Sequence, residues 1–389
     1  MNVSDAYRGK TVLVTGHTGF KGSWLSEWLT LLGARVVGYS LDIPSTPSHF
    51  TALGLGERVA ADVRGDVRSL DALQAVIDEH QPQFIFHLAA QPIVRRSFKE
   101  PHYTVETNLG GSLNVLEAVR RAERDCVVIM ITTDKVYENE EWVHAYREND
   151  RLGGHDLYSA SKACAEIVIS AYRRSFFERP AAQGGSRVAV ASVRGGNVIG
   201  GGDWSENRIV PDAVRSLAHD QPIRVRNPRS TRPWQHVLDL LGGYLQLGAE
   251  IAHARAQGDE ERLRELCSAF NFGPLLASNR TVGELVEEIL KHWPGEWENL
   301  HEAHAEHEAG KLNLTIDKAV HMLGWRPRWS FEECVAETVA WYRGYYMQRN
   351  PSTEAVRRLT QEQILAYMGQ QPDQHAAART AAAHAAGGG

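Results

Sequence analysis

The chain has 389 residues, of which 43% are hydrophobic and 23% charged, and a formal net charge of −6. That composition excludes collagen-like, disordered and disulfide-framework proteins, and the length suffices for two or three domains. The mild acidity argues against a nucleic-acid partner bound through bulk charge.

In chain order, strands are predicted at 11–15, 35–40, 58–61, 84–88 and 126–132, with helices at 22–32, 69–79 and 103–123 between them. A helix at 158–177 and a strand at 187–193 continue the pattern. Apolar strands alternating with helices predict βαβ units and a parallel sheet covered on both faces. After Arg194 glycines and polar residues take over, and a smaller lobe begins. A helix at 237–254 and a strand at 269–272 are expected to rejoin the first lobe, with further helices at 281–293 and 331–347. The expected fold is therefore α/β, a doubly wound parallel sheet with a smaller C-terminal lobe. The division is 1–194 (completed by segments around 237–275), 195–350, an extension at 351–371, and a low-complexity tail at 372–389 expected to be disordered.

Between the first strand and its helix stands Gly16-His17-Thr18-Gly19-Phe20-Lys21-Gly22. Gly16 permits a tight turn, Gly19 lets the backbone approach a pyrophosphate, and Gly22 lets the helix pack on the strand. The helix N-terminus offers free N–H groups to phosphate. Ser40 occupies the position usually acidic in such folds, with Asp42 just beyond, which leaves NAD against NADP open. Asp66 either receives an adenine amine or caps a helix.

Tyr158 and Lys162 form Y-x-x-x-K, so they share one helix face. An ammonium one turn from a phenol, together with a cationic nicotinamide, is expected to lower the phenol pKa from its usual ~10. Thr133, Asp134 and Lys135 follow the fifth strand, at the carboxyl edge where open α/β sheets bind ligands.

These motifs, with Leu88-Ala89-Ala90-Gln91, Gly196–Trp204, Arg232-Pro233-Trp234-Gln235-His236-Val237 and Leu323–Pro327, carry a family resemblance. Over residues 8–345 the chain resembles the extended short-chain dehydrogenase/reductases, and within them the CDP-glucose branch of the sugar-nucleotide 4,6-dehydratases. Lys135 stands where the dTDP-glucose branch carries Glu. Leu157 replaces a usual Pro, and Gly195 a common Ala.

The resemblance implies a Rossmann-type domain with a substrate-binding lobe, bound NAD, a homodimer, and conversion of CDP-D-glucose to CDP-4-keto-6-deoxy-D-glucose. It implies cofactor contacts at Gly16, Thr18, Gly19, Phe20, Gly22, Asp66, Leu88, Ala89 and Ala90. Tyr158 would take the C4 hydroxyl proton, with Thr133 bonding the same oxygen and Lys162 tuning Tyr158. Asp134 would be the acid for the departing C6 oxygen, protonated through burial, and Lys135 the base at C5. Asn197, Arg208 and Arg232 are candidates for the substrate diphosphate, while Trp234 packs either near the nucleotide or in the core. The rival readings are an epimerase or dTDP-sugar dehydratase of the same fold and, remotely, a non-catalytic dinucleotide-binding scaffold.

Cys126, Cys164, Cys267 and Cys334 are widely separated, with no CxxC pair, so free thiols in a reducing cytoplasm are expected. No stretch approaches the ~20 apolar residues of a membrane helix. His301, His304 and His307 lie among Glu residues and read as a solvated loop, because the chemistry above needs no metal.

Overall fold

A computed structural model describes residues 3–178, 187–206, 208–300, 312–348 and 351–369. The tail at 372–389 and His301, His304 and His307 lie outside the described residues.

Six strands, β1 (Thr11–Thr15), β2 (Arg35–Ser40), β3 (Ala61–Arg64), β4 (Phe84–His87), β5 (Cys126–Ile131) and β6 (Val188–Gly195), join the strand Ala269–Phe272 in one parallel sheet. The order is Ala269–Phe272, β6, β5, β4, β1, β2, β3, which makes it a Rossmann-type doubly wound sheet. Val12 faces Val36 on one side and Phe84 on the other.

Alternate strand residues feed two cores. Val12, Val14, Phe86 and Ile129 pack with the helices Phe20–Leu31 and Val237–Gln257. Leu13, Ile85, Val128 and Met130 pack with Leu70–His80, Gly111–Ala122 and Leu157–Tyr172. Burial on both faces is why these strands read as unbroken apolar runs.

The third strand departs from expectation. The chain makes a short 3₁₀ turn at Leu55–Glu57, Arg58 pairs with buried Glu27, and β3 begins only at Ala61. It is an edge strand whose residues alternate between half-buried and exposed, so it carries no apolar run to mark it. The helix expected at 103–123 is Pro101–Val105, a π-turn at Glu106–Gly110, and Gly111–Ala122. A short helix at Val94–Lys99 was not anticipated.

Beyond β6, small strand pairs join Val198–Ile199 to Gln235–His236 and Thr231–Pro233 to Asn279–Thr281. Two helices there begin with reciprocal capping boxes: Thr281 with Glu284 for Val282–His292, and Ser330 with Glu333 for Phe331–Tyr346. The C-terminal extension forms a helix, Thr353–Tyr367, that lies against Phe20–Leu31 and His49–Ala52. Among the described residues no helix is long and apolar enough to cross a membrane.

Candidate active site

The glycine loop is shaped by backbone approach. Gly16 has φ +75°, and a Cβ there would lie 2.7 Å from the Ala89 nitrogen. A Cβ on Gly22 would overlap the Gly16 carbonyl oxygen. Gly19 is the N-cap of Phe20–Leu31 and supplies no side chain, so the first-turn amides of a 12-residue helix face outward without a side-chain cap. A Cβ on Gly19 would meet only the Gly16 oxygen, at 3.4 Å. This open cradle at a helix N-terminus fits a dinucleotide pyrophosphate.

The neighbouring candidates close around it. Leu88 N–H donates to the Thr15 carbonyl and Ala89 N–H to Thr15 Oγ1, which lays the strip Leu88, Ala89, Ala90 beside Gly16. Thr18 Oγ1 donates to the Asp42 carbonyl at 2.6 Å. Ser40 Oγ lies 2.8 Å from His17 Nδ1, whose Nε2 is 2.9 Å from Asp62 Oδ1, so position 40 belongs to a polar relay beneath the loop. The Asp66 carboxylate pairs with Arg68 at 2.6 Å, which holds its pKa down. Ser69, not Asp66, caps the helix Leu70–His80, so the capping alternative for Asp66 is excluded.

The chemistry-bearing residues gather at the end of β5. Thr133 is extended (φ −154°); its hydroxyl donates to Asp134 Oδ1 at 2.9 Å and accepts from the Lys135 amide. Tyr158 stands in the first turn of Leu157–Tyr172, which Asp156 caps, and its phenol lies beside the Thr133 side chain. Asp134 is buried, and burial raises its pKa against the pull of Lys135. Lys162 Nζ donates to the Ile131 carbonyl at 3.3 Å.

Burial sets the charge state of this pair in the protein alone. Burial pushes the Tyr158 phenol up to about 12, and the neighbouring Thr133 side chain offsets only part of that rise. Burial, reinforced by Lys21, also pushes Lys162 down to about 7. In the protein alone the pair is thus poised toward its neutral forms rather than phenolate and ammonium.

The second lobe brings its candidates to the same place. A Cβ on Gly196 would lie 3.0 Å from Asp134 Oδ2 and 3.7 Å from Pro233, so the segments carrying Asn197 and Arg232 meet at Asp134. Arg232 acts electrostatically on Asp134, and Arg208 on Tyr158. Arg208 is itself anchored to buried Asp203 at 3.0 Å. Trp234 is the exception among the substrate candidates: it is buried in the core, with its indole N–H donating to the Arg280 carbonyl. The packed alternative describes it, because its polar edge is already spent inside the lobe.

Three charged groups at or behind the site escaped the sequence reading. Lys21 extends from the glycine loop toward Arg208 and Asp134, and burial lowers its pKa to about 8. Its signal was a lone cation between two loop glycines. Glu166 and Arg194 form a buried ion pair at 2.8 Å behind the site. Glu166 also accepts from Thr132 and Ser192, at 2.6 and 2.8 Å, so it ties β5 to β6 next to Thr133. Its signal was the i, i+4 spacing from Lys162. Among the described residues no group of three or more His, Cys, Asp or Glu is placed to hold a metal.

Residues 13–338 match the family model for GDP-mannose 4,6 dehydratase, a span that ends before the helix Thr353–Tyr367. The CDP-glucose 4,6-dehydratase of Salmonella typhimurium is 44% identical over 341 residues, covering 87% of this chain and 92% of the relative. Among solved structures, an epimerase from Methanothermobacter thermautotrophicus superposes with a TM-score of 0.73 at 23% identity, covering 89% of this chain and 96% of that one. The dTDP-glucose 4,6-dehydratase of Bacillus anthracis, solved with NAD, gives 0.68 at 21% identity, covering 86% and 97%. The chain belongs to the GDP-mannose 4,6-dehydratase family of extended short-chain dehydrogenase/reductases.

Proposed function

We propose that this protein is an NAD-dependent hydro-lyase that converts CDP-D-glucose to CDP-4-keto-6-deoxy-D-glucose. The observation that carries the reading is the cluster Thr133-Asp134-Lys135 beside Tyr158, with Lys in the third position, in a chain 44% identical to a CDP-glucose 4,6-dehydratase. Gly16, Thr18, Gly19, Phe20, Gly22, Asp66, Leu88, Ala89 and Ala90 would hold NAD, consistent with the open helix N-terminus. Bound NAD supplies a positive charge beside the phenol, a hydride acceptor for C4 and a hydride donor for C6.

The protein's own groups manage the protons. Tyr158 takes the C4 hydroxyl proton, and Thr133, beside Tyr158, orients that oxygen. Oxidation at C4 makes the C5 proton acidic, and Lys135 is the base that removes it. Asp134, whose pKa burial raises, is the acid that delivers a proton to the leaving C6 oxygen, so that water departs. Lys21 and Arg232 act on Asp134 and Arg208 acts on Lys21, a cluster of positive charge that suits a diphosphate, and Asn197 adds a polar group.

Residues 1–194 with 237–275 form the cofactor domain in this reading, and 195–350 mainly the substrate lobe. The enzyme works in the cytoplasm as a homodimer. The helical surface around Gly111–Ala122 and Leu157–Tyr172 exposes Leu113 and Ile167, at 38% and 57%, with Phe98 on an adjacent helix at 69%. An apolar surface of this kind suits a second copy of the chain.

Incubation with CDP-glucose, dTDP-glucose and UDP-glucose tests the reading. The 4-keto chromophore and loss of one water are expected with CDP-glucose; turnover of dTDP-glucose alone would contradict the substrate assignment.

A further inference from the structure

The helix Thr353–Tyr367 lies beyond the family span, yet it reaches the glycine loop through side chains. We infer that Thr360 is a positioning residue for the dinucleotide loop, acting through a buried, one-directional hydrogen-bond chain that runs Trp341, Thr360, His49, Ser23, Phe20. The inference rests on the reading of that loop as the NAD site.

The geometry assigns every proton. Trp341 Nε1–H, which can only donate, gives to Thr360 Oγ1 at 2.9 Å. Ser23 Oγ donates to the Phe20 carbonyl at 2.9 Å, so toward His49 Nδ1, 2.8 Å away, it must accept. A neutral imidazole has one N–H; with that proton on Nδ1, Nε2 accepts from the Thr360 hydroxyl at 3.1 Å. Burial pushes the His49 pKa down to about 3, which keeps the ring neutral at working pH. Each donor is used once and none is left over.

The chain is rigid as well as satisfied. Ser23 and Thr360 are fully buried, and His49 and Trp341 are 1% exposed. Trp24 stacks on the His49 ring with centroids 4.9 Å apart, and Trp341 meets it edge-on at 5.5 Å. The chain ends on the carbonyl of Phe20, the first residue of the helix whose N-terminus is the cradle. A second anchor, Gln361 Nε2 to Glu27 Oε1 at 2.7 Å, holds the two helices in register. Removing one hydroxyl from such a network leaves buried polar groups unpaired at both neighbours and frees the loop to shift.

The test uses the full chain with Thr360→Val, Thr360→Ser, Ser23→Ala and the Thr360→Val/Ser23→Ala pair. The readouts are NAD affinity by calorimetry, and amide hydrogen exchange over residues 16–23 without ligand. Thr360→Val is expected to raise the NAD Kd about tenfold and to speed exchange in the loop, while Thr360→Ser stays within about twofold of wild type. Ser23→Ala should have a similar effect, and the pair should be no weaker than either single change, because one chain can be broken only once. Fold-changes that multiply in the pair would overturn the inference. So would wild-type exchange and affinity in Thr360→Val or, where that variant does not fold, in Ser23→Ala. A wild-type chain that binds no NAD would sink the cofactor reading instead; loop exchange alone would then decide the chain, acceleration in Thr360→Val supporting it and no change refuting it.

Discussion

Glu166, one helical turn after Lys162, accepts a hydrogen bond at 2.6 Å from Thr132, the residue before Thr133. Its other oxygen holds Arg194 and Ser192, both at 2.8 Å, so a single carboxylate fixes the end of β5, β6 and the catalytic helix together. Glu166→Ala leaves Arg194 as an uncompensated buried charge and is expected to cost roughly 3–5 kcal/mol in urea unfolding. It should also lower kcat more than it changes KM, since the substrate-facing groups are displaced rather than removed.

The proton assignments separate by single substitution. Tyr158→Phe removes the base for the first step and should lower kcat by about a hundredfold or more, with no reduced cofactor accumulating. Lys135→Ala leaves that step intact and should stop dehydration while still allowing partial reduction of bound NAD, followed by absorbance under single turnover. Product formation at the wild-type rate in Lys135→Ala would remove Lys135 from its role.

Asp239 gives a stability signature in pH. Burial raises its pKa to about 6, although it accepts from the Tyr367 hydroxyl and the Arg328 amide. A carboxyl whose folded pKa lies above its unfolded value of ~3.9 folds best protonated. Its contribution is therefore fully present below about pH 4 and is lost as pH rises through about 6. Asp239→Asn keeps the acceptor oxygen without the charge. It should flatten that part of the stability profile and gain on the order of 1–3 kcal/mol at pH 7.5, read from denaturant melts across pH.

The proposed dimer face rests on Ile167, exposed at 57% on the helix that carries Tyr158 at its other end. Ile167→Glu should shift the sedimentation coefficient toward that of a single chain while leaving far-UV dichroism unchanged.

Much of the cofactor half was legible because its strands are buried on both faces. β1, β2 and the strand Ala269–Phe272 lie where the sequence pattern puts them. β3 was misplaced because its residues alternate between half-buried and exposed, so no apolar run marks it. The residues of the active cluster were legible from motifs, but their protonation was not: local spacing suggested that Lys162 would acidify Tyr158, whereas burial, a property of the whole fold, dominates both groups. The buried pair Glu166–Arg194 and the link between His49 and Thr360 join positions 28 and 311 residues apart, beyond any local pattern.

The central claim is tested most directly by following the hydrogen on C4. With CDP-[4-²H]glucose, the product is expected to have lost one water and to carry the deuterium on C6, seen by mass and NMR. A product that keeps its full mass, or a dehydrated product with no deuterium on C6, would contradict it.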